Sequence, residues 1–307
     1  MPNRDFFVVL GATGNMGGHA TRVLIDRGRK VRAITRSPSS DAALSLARLG
    51  AEVVKADMND RESLDRVFEG ARGLFSVQNW GEVGPDGEIE QGVRVAEACA
   101  AVGVPHVVFG SAGEGKSDSG VAHFDCKLVV EARMRELGLP HTIIRPAPFM
   151  ELMTAKAFYP AVGVWGGERK VVGLDRPIPW VAAADIGTAI ANALDDPDRW
   201  IGEDVALFGD IQTLGQARDL HAEAFGRKPR SLPLPLWLIS RLAGKELVDM
   251  WHWMVEWIDA MGREGLQARH ERARALVPSF TDMRSWYRRQ AGERVASGVF
   301  RDRSRSV

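Results

Sequence analysis

Six short apolar runs recur through the first 144 residues: Phe6 to Leu10, Val31 to Ile34, Val53 to Lys55, Leu74 to Val77, His106 to Phe109 and His141 to Ile144. Between them, Gly18 to Arg27, Arg61 to Glu69, Glu88 to Ala101 and Phe124 to Leu137 carry apolar residues at helical spacing. Gly28, Gly70, Gly103 and Gly138 then stop those helices just before the next strand. Strands that alternate with helices predict a parallel sheet covered on both faces, so the chain reads as an α/β protein with a doubly wound sheet. After Arg145 the rhythm changes. Pro146, Pro148, Pro160, Pro177 and Pro179 interrupt it, and a Trp/Met-rich stretch follows around Met250 to Met261. The expected division is a sheet domain over residues 1–150 and a smaller, mostly helical lobe over 151–295, with a polar, basic tail over 296–307. Two further strands, near Ile178 to Val181 and Val205 to Phe208, are expected to return to the sheet.

The most informative turn is Gly11-Ala-Thr-Gly-Asn-Met-Gly17, between the first apolar strand and a helix containing Val23, Leu24 and Ile25. Gly11 permits a tight turn, Gly14 lets backbone approach a pyrophosphate, and Gly17 lets the helix lie close on the sheet. Phosphates would face the helix N-terminus, where unpaired N–H groups and the dipole favour an anion. Thr13, Asn15 and Met16 are counted with the three glycines as candidates for this cradle. Elsewhere the same glycines would make an ordinary turn; the strand-to-helix context gives them meaning.

The second strand bears on which dinucleotide binds. An NAD-preferring site presents an acid about 20 residues beyond the glycines, whereas here the strand ends in Thr35-Arg36-Ser37. Arg36 suits a 2′-phosphate, because a guanidinium is planar and permanently charged; the alternative is a solvated surface arginine. Arg32 shares its strand face and is a candidate to support or replace it. Asp57 and Met58, after the third strand, stand where an adenine edge is held, although Asp57 would equally serve as a helix cap before Arg61. The expected cofactor is therefore NADP(H).

These elements together resemble the NmrA-like family, atypical members of the short-chain dehydrogenase/reductase superfamily. The matching segments are Gly11 to Gly18, Arg32 with Thr35-Arg36, Gly50 to Val54 leading to Asp57, Gln78-Asn79-Trp80, His123 to Lys127, Arg145 to Phe149 and Ala184 to Gly187. The resemblance implies NADP(H) binding by Asn79 and Lys127 near the nicotinamide ribose and by Pro146 to Phe149 around the nicotinamide. It also implies members that act as redox-sensing regulators or as reductases.

The superfamily's usual tyrosine, four residues before a lysine, is absent. The two tyrosines, Tyr159 and Tyr287, are followed four positions later by Gly163 and Ala291. Lys127 has His123 in that place. His123 is a candidate proton donor beside a cation that would depress its protonation, or else a packing residue; Lys127 is a candidate catalytic and cofactor-binding cation. Ser111 stands where a serine would polarise a carbonyl, or in a flexible turn. Trp251, Met254, Trp257, Ile258 and Met261 share one helical face, as an aromatic cleft or as packing.

Forty basic residues balance 40 acidic ones, which disfavours direct nucleic-acid binding. Cys99 and Cys126 show no metal-ligand or redox spacing, and no metal site is expected. No apolar run approaches the roughly 18 residues of a membrane span, so the expected location is the cytoplasm. The leading functional expectation is an NADP(H)-binding, redox-sensing protein with a regulatory protein partner. Its alternative is an NADPH-dependent reductase of quinone, imine or carbonyl-type small molecules that uses Lys127.

Overall fold

The computed structural model describes residues 5–116, 118–154, 164–231 and 234–296. Their order begins β1 (Phe6–Val9), α1 (Asn15–Asp26), β2 (Lys30–Thr35), α2 (Asp41–Arg48), β3 (Glu52–Lys55), α3 (Arg61–Phe68), β4 (Ala71–Ser76), α4 (Trp80–Val102), β5 (Val107–Gly110), α5 (Ala122–Glu136) and β6 (His141–Pro146). Later come β7 (Pro177–Trp180), a helix over Ala183–Asp195, β8 (Asp204–Leu207) and β9 (Asp210–Thr213). Helices over Leu214–Phe225, Leu236–Ala243, Lys245–Ala273 and Met283–Ala296 complete the described chain.

Two compact units result: the described residues of Met1–Ala147, Ala183–Leu207 and Ala268–Ser279 form one, and those of Pro148–Ala182, Phe208–Gln267 and Phe280–Val307 the other. The first holds a seven-stranded sheet in the order β3-β2-β1-β4-β5-β6-β8, with every neighbouring pair parallel. Its central strands are apolar on both faces, as a sheet covered twice requires: Val8, Val9, Leu74, Phe75, Val108 and Phe109 are fully buried. Strand order reverses between β1 and β4, so the connections leave these strands toward opposite faces and open a crevice outside their C-terminal ends.

The expectation for the late strands is half corrected. Asp204–Leu207 does join the large sheet, beside β6. Pro177–Trp180 does not; it pairs antiparallel with Asp210–Thr213 in a separate two-stranded sheet of the second unit. Also in that unit, Trp251, Met254 and Ile258 are buried and Trp253 stacks on Trp257 with centroids 5.2 Å apart. This face of Lys245–Ala273 is therefore packing, and the chain breaks at Gly262, where φ is 63°. No helix among the described residues is long and apolar enough to cross a membrane.

Candidate dinucleotide site

At the C-terminal end of β1 the chain turns through Gly11, whose φ of 62° is a left-handed value that favours glycine. Gly14 N–H donates to Gly11 O at 2.9 Å and closes the turn. The helix then lies so close that a Cβ on Gly17 would stand 2.5 Å from Gly11 O. Helix α1 begins without a side-chain cap and without an acid in its first turn. By contrast, Ser40 caps α2 and Asp60 caps α3. The first N–H groups of α1 thus lack the side-chain acceptor that helix starts normally recruit, and Thr13, Gly14 and Asn15 around them are exposed. An uncapped helix start beside a glycine turn suits a pyrophosphate, which would supply those acceptors. Met16 closes the neighbouring strand end, its methyl lying 3.0 Å from where a Cβ on Gly110 would be.

Arg36 emerges just beyond β2 and gives an N–H to Glu82 of α4, 2.5 Å away; both side chains are more than half exposed. Arg32 is committed elsewhere. Its guanidinium donates to Glu52 at 2.9 Å and to Val67 O at 3.0 Å, with its centre 4.2 Å from the Phe6 ring centroid, which leaves Arg36 as the cation at the strand end. After β3, Asp57 Oδ1 accepts from Asn59 N–H at 2.9 Å. The cap of α3 is Asp60, so Asp57 is not that helix's cap. Met58 offers its carbonyl to Arg94. Asn79, exposed after β4, starts α4 with no side-chain capping bond.

The lysine region is built differently. Helices α4 and α5 approach closely because Gly92 has no side chain: a Cβ there would stand 2.4 Å from Val130. One turn before Gly92 is Glu88, and three residues before Val130 is Lys127; they form a short ion pair, Nζ to Oε1, with the side chains 4% and 0% exposed. The second oxygen, Glu88 Oε2, is buried without a hydrogen-bond partner. His123 sits a turn earlier, its ring 5.5 Å from that of Trp80 and 5.3 Å from that of Phe124. Burial, with the Lys127 ammonium beside it, pushes its pKa down to about 3, so the ring is neutral at pH 7.

Ser111 belongs to a buried network. It donates to Glu131 at 2.6 Å and accepts from Arg145 at 2.9 Å, while Arg145 also binds Asp204 and Ala112 O. Burial works to raise the Glu131 carboxyl, but Arg145, Ser111 and Arg135 outweigh it and hold it below its ordinary value. The network ties the turn after β5 to β6 and β8, which gives Ser111 a structural task. Pro146 ends β6. Phe149 and Trp165 belong to the second unit, where Trp165 donates its ring N–H to Met153 O at 3.2 Å. Tyr287 is fully buried in the same unit, edge-on to His221 and Phe225, and burial raises its phenol; Tyr159 lies outside the described residues.

The sequence reading named the cations of this edge but missed the two carboxylates that hold them, Glu82 and Glu88. For Glu88 a signal exists, since it lies on the helical face of Gln91, Gly92, Val95 and Cys99, a stripe that is otherwise uncharged and buried.

A glycine turn on an uncapped helix, at the reversal point of a parallel sheet, defines the class of dinucleotide-binding Rossmann-type proteins. The NmrA-like family model matches residues 4–287. The oxidoreductase FrzB of Cladobotryum sp, described as containing an NmrA-like family domain, is 31% identical over 274 residues, covering 79% of this chain and 80% of its own. The chain belongs to the NmrA-like family. Among solved structures, the negative transcriptional regulator NmrA in complex with NADP superposes with a TM-score of 0.74 at 21% identity, over 97% of this chain and 98% of that one; NmrA has also been solved with NAD. Triphenylmethane reductase of Citrobacter sp., complexed with NADP(H), gives a TM-score of 0.70 at 20% identity over 93% and 99%.

Proposed function

We propose that this protein is an NADP(H)-dependent oxidoreductase of the cytoplasm that acts on a small molecule. The observation that carries the reading is the pairing of an uncapped α1 N-terminus with the exposed guanidinium of Arg36 at the next strand end. The first would hold the pyrophosphate through Gly11, Thr13, Gly14, Asn15, Met16 and Gly17, and the second a 2′-phosphate. Asp57 and Met58 would border the adenine, and Asn79, Lys127 and Pro146 the nicotinamide end. A bound NADPH would supply the hydride. The chain's own task is to orient it, with the Lys127 ammonium, itself paired to Glu88, as the candidate stabiliser of developing negative charge. The name and the identity of FrzB favour an oxidoreductase, and a quinone, imine or carbonyl compound is the substrate class to screen.

A second reading, a redox-sensing binding protein with a protein partner, draws on the place four residues before Lys127, where the superfamily's tyrosine would stand and this chain has His123. His123 is held neutral there.

Titration of both reduced cofactors against wild type and Arg36→Ala tests the cofactor assignment. A charge-assisted contact contributes about 1.5 to 3 kcal/mol, so the substitution should cost NADPH affinity roughly ten- to 100-fold and leave NADH affinity nearly unchanged. An Arg36→Ala chain that binds NADPH as wild type does overturns the assignment. NADPH oxidation over a panel of quinones and carbonyl compounds separates the two functions. Turnover of any of them supports the enzyme; tight NADPH binding that changes protease sensitivity, with no compound reduced, supports the sensor.

A further inference from the structure

We infer that Glu82 is a specificity-determining residue of the dinucleotide site, supplying from α4 the acid that β2 lacks. The inference rests on the reading of Arg36 as the 2′-phosphate partner. In a Rossmann site the adenine-side ribose is read in one of two ways: an acid accepts from the 2′-hydroxyl of NAD(H), or an arginine holds the 2′-phosphate of NADP(H). Here both groups occupy one spot. Arg36 and Glu82 lie 46 positions apart in sequence and 2.5 Å apart in space, and both remain more than half exposed, at 58% and 51%.

That exposure makes the pair exchangeable, because an ion pair in water is only slightly favourable and is screened by salt. A 2′-phosphate reaching Arg36 must take the place of the Glu82 carboxylate or sit beside it, and two anions on one guanidinium repel. A 2′-hydroxyl meets no such conflict, since Glu82 can accept its proton without leaving Arg36. Glu82 therefore weakens NADP(H) and strengthens NAD(H), narrowing the discrimination that Arg36 creates. The backbone allows the side chain to yield. Gly84, with φ 70° and ψ 179°, breaks the helix two residues later, and Pro85 follows, so Glu82 rides on a short turn that need not move with the long buried segment.

Proximity of Glu82 to the α4 N-terminus gives it a second reason to be acidic, since the helix dipole favours an anion there. Cofactor titration separates the two roles, because capping alone would alter stability and leave the ratio of the two affinities unmoved. Dissociation constants for NADPH and NADH are to be measured at low and high salt for wild type, Glu82→Gln, Glu82→Ala, Arg36→Ala and the Arg36→Ala/Glu82→Gln double variant, each checked for folding by thermal unfolding. Loss of an exposed carboxylate beside the phosphate should tighten NADPH roughly two- to fivefold at low salt, the scale of a surface ion pair, and less at high salt. NADH should weaken roughly threefold in Glu82→Ala, as one hydrogen bond is lost, and less in Glu82→Gln, whose amide oxygen still accepts. The preference for NADPH then rises about tenfold with Glu82→Ala and about two- to fivefold with Glu82→Gln, and in the Arg36→Ala background both effects persist, because the carboxylate repels the phosphate with or without the guanidinium. If both Glu82 variants keep the wild-type ratio within twofold while Arg36→Ala abolishes NADPH preference, the Glu82 assignment is wrong and that of Arg36 stands. If Arg36→Ala leaves the ratio unchanged as well, the 2′-phosphate lies elsewhere and both assignments fall.

Discussion

One helix supplies a carboxylate to each of the two cations assigned to the dinucleotide, and the two pairs behave as opposites. Glu82 meets Arg36 before the break at Gly84, where both side chains are open to water. Glu88 meets Lys127 after it, where neither is. The chemistry is nearly the same, and the difference lies in solvent. A surface pair contributes about 0 to 1 kcal/mol and can be exchanged for a ligand contact. Removing one partner of a buried pair strands a charge and costs about 3 to 5 kcal/mol. The Arg36 pair is thus open to exchange, whereas Lys127 is held to Glu88 out of water, where the two opposite charges largely cancel.

The sharpest test of this contrast is Lys127→Ala. It should lower stability by about 3 to 5 kcal/mol in denaturant unfolding, because Glu88 is left buried and alone. The double variant Lys127→Met/Glu88→Leu should recover most of that loss, since a well-packed apolar pair of similar volume replaces the charges. A Lys127→Ala protein as stable as wild type would mean that the pair adds nothing net to stability, with Glu88 hydrated or protonated once its partner is gone. The same experiment guards the functional assay, because weaker NADPH binding by Lys127→Ala counts only where the protein is folded.

A third carboxylate, which has no ion-pair partner among the described residues, shows what burial does alone. Glu168 is 2% exposed, and burial raises its pKa to about 8. An acid raised in the fold stabilises it below the unfolded value of about 4.5, and that contribution is lost as pH rises through about 8. Unfolding free energy should therefore fall by about 3 kcal/mol between pH 5 and pH 8, at about 1.4 kcal/mol per pKa unit. Glu168→Gln should flatten that slope. A wild-type profile that is already flat over this range would show that Glu168 is ionised in the fold.

His123 carries the opposite sign. Its pKa is lowered, so its contribution is intact above the unfolded value of about 6.5 and is lost on acidification toward about 3. Over pH 6.5 to 5 the expected loss is about 2 kcal/mol, reduced in His123→Asn. His106, lowered to about 4 by burial and by His141, adds a loss of its own that His123→Asn leaves in place. Affinity for NADPH should survive His123→Ala, and turnover, where found, should drop at most about 100-fold. Abolished turnover with intact affinity would make the neutral imidazole the proton donor.

How much of this could be read from the chain follows the same division between local and distant. The first six strands were legible because each is a short apolar run closed by a glycine or a turn, and the glycine turn was legible because its strand and helix adjoin it in sequence. Ile178 to Val181 was misplaced because its pattern says strand without saying which partner. Its neighbour, Asp210–Thr213, is part-buried along its whole length and gave no apolar run to notice. In Ala184 to Gly187 the sequence showed only a family motif, and the structure supplies its reason: a Cβ on Gly187 would stand 2.5 Å from that of His19, so the glycine lets Ala183–Asp195 lie against α1. Arg36 and Lys127 were visible as cations at strand and helix positions. Their carboxylates were not, because Glu82 and Glu88 lie 46 and 39 positions away, and charge in a helix ordinarily marks a solvated face.

The glycine turn itself carries the buried-against-exposed contrast, and with it the smallest stability change expected, that of Gly14→Ala. Gly17 is buried, and a Cβ there would stand 2.5 Å from Gly11 O, 2.7 Å from Gly11 C and 2.9 Å from Leu10 O. All are backbone atoms that cannot rotate away, so Gly17→Ala must push α1 off the sheet at a cost of about 1 to 3 kcal/mol. Gly14 is exposed with φ −93° and ψ −178°, extended backbone that any residue adopts. Its Cβ would meet only Gly11 O, at 3.3 Å, so Gly14→Ala should change stability by less than about 1 kcal/mol. Binding should reverse that ranking. The added group at Gly14 stands where the pyrophosphate would approach the α1 N–H groups, and Gly14→Val, with more bulk at the same place, should abolish most NADPH affinity while the protein still unfolds cooperatively. A Gly14→Val protein that keeps both its melting temperature and its NADPH affinity would place the phosphates away from this turn.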